Sequence, residues 1–207
     1  MVKVIWMRHA VTLENQAKQY IGHLDAPLAQ AGVAQAEQVA KFFANRPLTA
    51  IYSSDLHRAK ETAFLVAKYH SHIDVLTDSN LREVSFGDWE GLTYQEIEKR
   101  NRELIYQFYN NPWEVAPPNG ENLIQLESRL KKFVTELISK HCKKDTHSEA
   151  TDEESIVLVV THGGMLRLVS SILLYQDRNR YFDSSIGHGQ FMITRCTDDE
   201  VWQICNL

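Results

Sequence analysis

Arg8 and His9 end a short apolar run, Val2 to Met7, and His162 ends another, Ile156 to Thr161, with Gly163 and Gly164 directly behind it. In an open α/β sheet, ligands sit outside the carboxyl ends of the strands, so these two histidines can meet at one site from distant parts of the chain. Arg58, about one turn into the helix expected after the run Ala50 to Tyr52, belongs at the same sheet end. Two arginines at one place call for an anion, because unliganded guanidinium groups repel each other. A phosphoryl group matches their forked donors with its equatorial oxygens. Gly163 adds a backbone N–H at a further helix start, and glycine at 163 and 164 allows backbone to approach a ligand closely.

With an anion held by Arg8 and Arg58, the remaining groups each have a chemical task. Neutral imidazole near pH 7 attacks phosphorus, which makes His9 the candidate nucleophile and a phosphohistidine the intermediate that water cleaves. His162, if protonated, donates to the transferring oxygens. Departure of an alkoxide needs a proton, and Glu83 is the candidate to give it and then to deprotonate the attacking water. Asp88 and Glu90 compete with it. The plainer alternatives are a surface pair of Glu83 with Arg82, an ion pair of Arg58 with Glu61 or Asp55, and a loop cap at Asn15. His188, between two glycines, and His23, in the loop before Pro27, receive no catalytic role, and His57, His70, His72, His141 and His147 read as helix or loop surface.

Positioning these side chains requires strands at Val2 to Met7, Ala50 to Tyr52, Ile73 to Leu76 and Ile156 to Thr161, with helical periods between them. That alternation predicts an α/β fold: a mostly parallel, doubly wound sheet with helices on both faces. Val33, Ala36, Ala40 and Phe43 mark the first helix, and Leu56, Ala59, Ala63 and Val66 a second from about Asp55 to His70. Thr93 with Glu96 makes a capping box for the third. Leu123, Leu126, Leu130, Phe133 and Leu137 share one face of the fourth, and the fifth begins at Gly163 and buries Leu166 and Val169. Phe191 to Cys196 and Val201 to Cys205 form a final hairpin at the sheet edge. Residues 83–120 read as a helical and loop lid within a single domain spanning 1–207, and the acidic stretch Asp145 to Glu154 as an exposed loop.

A formal net charge of -5 provides no basic field for a nucleic-acid backbone. The 43% hydrophobic content suits one globular domain that needs no metal or disulfide to fold. There is no CxxC or HExxH spacing and no membrane-length apolar run, and the odd count of 3 cysteines fits thiols in a reducing compartment. The expectation is a cytoplasmic protein without cofactor or metal, with no membrane or nucleic-acid partner, and compatible with a homodimer.

The run Arg8-His9-Ala10-Val11-Thr12-Leu13-Glu14-Asn15 resembles the RHGxTxxN signature of the histidine phosphatase superfamily, in its phosphoglycerate mutase-like branch. YIGHLDAPL from Tyr20, SSDLHRA from Ser53, LREVSFGDWEG from Leu81 and VTHGG from Val160 are similar to further motifs in the same order, so the likeness covers the whole chain. It implies the phosphoglycerate mutase-like fold, a phosphate pocket of Arg8, His9, Arg58 and His162, and Glu83 as proton donor. It also implies substrate contacts at Asn15, Gly22 and His23. Ala10 stands where the family usually has glycine, Val11 where glutamate is frequent, and Ala29 where a capping Thr or Ser is usual. Within the superfamily, LREVSFGDWEG and PPNGE from Pro117 are most similar to bacterial α-ribazole phosphatases. That likeness implies hydrolysis of α-ribazole 5'-phosphate to α-ribazole in assembling the nucleotide loop of cobalamin. A broad-specificity small-molecule phosphatase is the alternative. A phosphoglycerate mutase stands behind both, because mutases usually carry a longer middle insertion and a closing tail. Trp89, Tyr94, Phe108, Tyr109 and Trp113 are the aromatics available to stack on a planar base.

Overall fold

The computed structural model describes residues 1–142, 154–197 and 199–207; of the acidic stretch Asp145 to Glu154, all but Glu154 lies outside the described residues. Its strands are β1 (Val2–Arg8), β2 (Ala50–Ser53), β3 (Val75–Thr77), β4 (Ser155–Thr161), β5 (Phe191–Cys196) and β6 (Trp202–Ile204). They form a six-stranded sheet in the order β3-β2-β4-β1-β5-β6. The β1–β4, β2–β4 and β2–β3 pairs are parallel, while β5 and β6 close one edge antiparallel, as the sequence pattern predicts. The third strand starts later than Ile73, because Ile73 N–H closes a turn onto the His70 carbonyl before the chain becomes extended.

Alternation along the central strands divides the core in two. Val2, Val4 and Trp6 of β1 share one face with Val157 and Val159 of β4, and pack on Leu126, Leu130 and Phe133 of helix α5 (Leu123–His141). Ile5, Met7, Leu158 and Val160 point to the other face. They meet Ala40 and Phe43 of α2 (Gln30–Phe43) and Ala59, Ala63 and Val66 of α3 (His57–Ala67). Central strands buried on both faces read as continuous apolar runs, which is why β1 and β4 are plain in the sequence.

Local signals set the helix starts. Thr12 and Asn15 form a capping box on the short α1 (Leu13–Gln16), Thr93 and Glu96 one on α4 (Tyr94–Asn110), and Asn122 and Gln125 one on α5. Ala29 begins α2 with no side-chain cap. The helix opening at Gly163 is regular only over α6 (Gly163–Leu168) and then widens into a π-helical segment, Val169–Leu174. Trp89, Ile97, Ile105 and Phe108 form a separate small core that ties α4 to the loop before it. Trp89 is only 2% exposed in that core, so it is not a stacking surface for a base. Among the described residues no helix is long and apolar enough to cross a membrane.

Candidate active site

A cavity of about 310 Å³ opens at the carboxyl ends of β1 and β4. Of the residues singled out in the sequence, Arg8, His9, Asn15, Gly22, Arg58, Glu83 and Gly163 line it. His9 Nδ1 lies 2.7 Å from the Ala10 carbonyl. A carbonyl only accepts, so Nδ1 carries the proton and Nε2 keeps its lone pair. Ala10 N–H in turn donates to Thr62 Oγ1 at 3.1 Å, and the Thr62 hydroxyl to the Arg58 carbonyl at 2.7 Å. This chain of bonds fixes the end of β1 against α3. Burial, and then the Arg58 charge, hold the His9 imidazole well below the ordinary histidine range, so it is neutral at pH 7.

His162 is fully buried, with its ring centroid 5.0 Å from that of His9. Its ring packs beside that of His9 without itself lining the cavity. Neither of its ring nitrogens has a hydrogen-bond partner among the described residues, and burial together with Arg58 pushes its titration well below the usual range. His162, read from the sequence as a donor if protonated, is therefore a neutral imidazole in the free site, still carrying one N–H.

The two arginines are oriented by backbone carbonyls. Arg58 lies in the first turn of α3 and donates to Gly22 O at 2.7 Å and Leu24 O at 2.8 Å, leaving Nε without a protein acceptor. It pairs with neither Glu61 nor Asp55. Arg8 donates to Ile186 O at 2.9 Å, and its Nε is likewise buried and unaccepted. Burial lowers both guanidinium groups, Arg58 to about 10, with the Glu83 charge working in the opposite sense.

Glu83 receives Gly164 N–H on Oε2 at 2.9 Å and its neighbour Val84 N–H on Oε1 at 3.0 Å. Arg82 turns away from it into a bidentate pair with Asp55. Glu90 is occupied as an acceptor for His23 N–H and Phe86 N–H, and Asp88 for the Asn119 amide, so neither competitor reaches the cavity. His23 also stands outside it: its Nε2–H donates to the Glu83 carbonyl at 3.0 Å, behind the acid rather than beside a substrate. Asn15 serves the capping box with Thr12 and also faces the cavity. The glycines following His162 line the cavity and also leave room for neighbouring side chains. A β carbon at 163 would lie 3.2 Å from the Arg8 guanidinium, and one at 164 would lie 2.3 Å from Glu83 Oε1.

Several residues were beyond sequence reasoning. His188 lines the cavity with its ring centroid 5.1 Å from that of His9, and Lys18, Tyr20 and Arg167 also line it. Arg129 of α5 donates to the carbonyls of Asn80, Arg82 and Glu83 and to the Glu121 carboxylate, fixing the backbone that carries the acid. No spacing rule marks an arginine whose acceptors are main-chain oxygens some 46 residues away. His70, expected on the surface, is buried with Nε2 on the Phe43 carbonyl, and His141 bonds the Tyr52 hydroxyl. A second cavity of about 270 Å³ adjoins the first, shares Glu83, Gly164 and Arg167 with it, and is walled by Phe86, Phe108, Tyr109, Tyr181 and Phe182. Of the expected stacking aromatics, Phe108 and Tyr109 face this space, whereas Trp113 packs on Tyr181 and Arg178.

The arrangement has counterparts of known sequence and structure. The chain is 36% identical over 167 residues to phosphoglycerate mutase-like protein 4 of Arabidopsis thaliana, covering 80% of this chain and 68% of that protein. It is 30% identical over 172 residues to the adenosylcobalamin/alpha-ribazole phosphatase of Salmonella typhimurium, covering 82% and 79%. The fold superimposes on the alpha-ribazole phosphatase of Shigella flexneri with a TM-score of 0.87 at 22% identity, over 100% of this chain and 96% of that one. The model of the histidine phosphatase superfamily (branch 1) matches residues 4–206, and with the catalytic-type side chains gathered at one sheet end the chain belongs to that superfamily and is a phosphoric monoester hydrolase.

Proposed function

We propose that the chain hydrolyses small phosphate monoesters without a metal, through a phosphohistidine at His9, and that α-ribazole 5'-phosphate is its substrate. The observation that carries the first part is the tautomer of His9: with Nδ1–H committed to the Ala10 carbonyl, Nε2 is the free nucleophile beside two guanidinium groups. Arg8 and Arg58 hold the phosphoryl oxygens with the donors that no carbonyl takes. His9 Nε2 attacks phosphorus, the bond from phosphorus to the ester oxygen breaks, and Glu83 supplies the proton that the departing alkoxide needs. Water then enters, gives its proton to the Glu83 carboxylate and attacks phosphorus. The bond to His9 breaks, and inorganic phosphate leaves. His162 holds the His9 ring from its sealed position beside it.

The second part rests on where Glu83 stands. It lines both cavities, so an ester oxygen beside Glu83 sends the phosphoryl group toward His9 and the rest of the alcohol toward the aromatic walls of the second space. A ribose bearing an aromatic base suits such walls. The test compares kcat/KM on α-ribazole 5'-phosphate, p-nitrophenyl phosphate, 3-phosphoglycerate and AMP with chelator present. A preference for α-ribazole 5'-phosphate of about a hundredfold is expected. Comparable rates on all monoesters would reduce the reading to a general phosphatase, and undiminished turnover by His9→Ala would overturn the phosphohistidine route.

A further inference from the structure

His188 sits in a turn joined to the end of β1. Gly189 N–H donates to the carbonyls of Arg8 and His9 at 3.2 and 3.3 Å, Arg8 N–H donates to Gln190 O at 3.0 Å, and Gly189 adopts a φ of +70° that suits glycine. Within this turn His188 Nδ1 meets the His9 carbonyl at 3.3 Å. As at His9, the carbonyl dictates the tautomer: Nδ1 holds the proton and Nε2 is bare. The side chain lines the phosphate cavity and its ring contacts the nucleophile's ring. The charged and titratable groups facing it are Arg8 and His9 at the end of β1 and Arg58 on α3, with no carboxylate among those acting on it.

We propose that His188 is a second imidazole lining the phosphate pocket beside His9, neutral when the site is free, which takes a proton from solvent as the phosphoryl dianion enters and donates it from Nε2–H to a phosphoryl oxygen. The inference rests on the phosphatase reading above. Burial, followed by the Arg8 charge, holds His188 down at about 4 in the free site. A bound dianion neutralises Arg8 and supplies a negative charge, so both the repulsion and part of the desolvation cost are removed at once. The proton returns to solvent when inorganic phosphate departs. His188 is suited to this exchange because it is only partly buried and faces the cavity, whereas His162 is sealed.

The test uses sulfate, a dianion across the whole range, bound to the full-length protein at pH 5 to 8 and followed by calorimetry in buffers of different ionisation enthalpy. His188→Asn keeps a donor near the Nδ1 position for the His9 carbonyl, and His188→Gln places a non-titrating amide near Nε2. The wild type should bind sulfate about tenfold more tightly per proton taken up for each unit the pH falls, and both variants should take up close to one proton fewer. kcat/KM should fall about tenfold or more at pH 5 and under threefold at pH 8 in His188→Asn. Equal proton uptake in wild type and variants, or the same fractional loss of activity at every pH, would overturn the proposal in favour of a purely structural side chain. The sulfate titration does not depend on turnover, so an absence of phosphatase activity would count against the functional reading while leaving this measurement decisive.

Discussion

Gly164 and Glu83 occupy nearly the same space: the Gly164 N–H donates to Oε2 of the acid, and a β carbon on Gly164 would sit 2.3 Å from Oε1. Any side chain at 164 must displace the carboxylate, which among the described residues is the one acidic group on the cavity wall. Gly164→Ala is therefore expected to behave as a catalytic variant with a small effect on folding. Its kcat on an alkyl phosphate should fall by roughly a hundredfold, within the range typical for loss of a general acid. An unchanged kcat in steady-state assays would show that the acid tolerates the shift.

Glu83→Gln separates proton donation from binding. Nitrophenolate departs without help, so p-nitrophenyl phosphate should lose far less rate than an alkyl phosphate, for which the loss is about 10² to 10⁴. Equal losses on the two substrates would assign Glu83 a role other than protonating the leaving oxygen.

Thr62 acts through His9 rather than on substrate. Thr62→Val keeps the shape but leaves the Ala10 N–H without its acceptor and the Arg58 carbonyl without its additional side-chain donor. A cost of about 1 to 3 kcal/mol in urea unfolding is expected. kcat should fall more than KM rises, because it is the aim of the nucleophile that suffers. A loss of stability with kcat intact would confine Thr62 to the fold.

Arg129→Met removes the donors that hold the carbonyls of Arg82 and Glu83 and frees Glu121 from its partner. The expected cost is roughly 2 to 3 kcal/mol, allowing for the part of the guanidinium open to solvent. The variant should also share the leaving-group signature of Glu83→Gln. Arg129→Lys, with charge but no fork, should recover only part of either effect.

His9, His162 and His188 all titrate below the ordinary histidine range in the folded protein, as do His70 and His141. As pH falls below about 6.5 the unfolded chain binds protons that the folded site refuses, so stability is full above that pH and declines beneath it. Tm should drop between pH 7 and pH 5, before the lowered carboxylates Asp55, Glu121 and Glu154 begin to protonate. Sulfate, by making protonation of the site favourable, should raise Tm more at pH 5 than at pH 8. A flat Tm over this range, or a sulfate effect that does not depend on pH, would contradict these assignments.

What could be read from the chain depended on whether a residue's partners are local or periodic. β1 and β4 are buried on both faces and so show as unbroken apolar runs, and the ends of those runs located Arg8, His9 and His162. The α4 box was visible because Thr93 and Glu96 bond each other three residues apart. His188 was given no catalytic role, because its partner is the His9 carbonyl 179 residues away and the surrounding glycines carry no period. His70 was misplaced for a similar reason: its acceptor is a carbonyl on α2, and a lone histidine near a helix end reads as surface. Trp89 was assigned to the substrate because its burial comes from α4 folding back over it, which composition does not reveal.

The position of β1 between β4 and β5 sets a timetable for biosynthesis. The strand leading into His9 is made early, yet both of its neighbours, and the turn whose Ile186 carbonyl anchors Arg8 from 178 residues away, are made late. Pairings of such separation are slow to form because a long loop must close before any contact rewards it. A nascent or truncated chain lacking residues 186–196 therefore has His9 and Arg58 but no assembled site, and it leaves the β5-facing edge of its central strand open to foreign strands. Competence to cleave phosphate and protection from aggregation are thus acquired in the same late step.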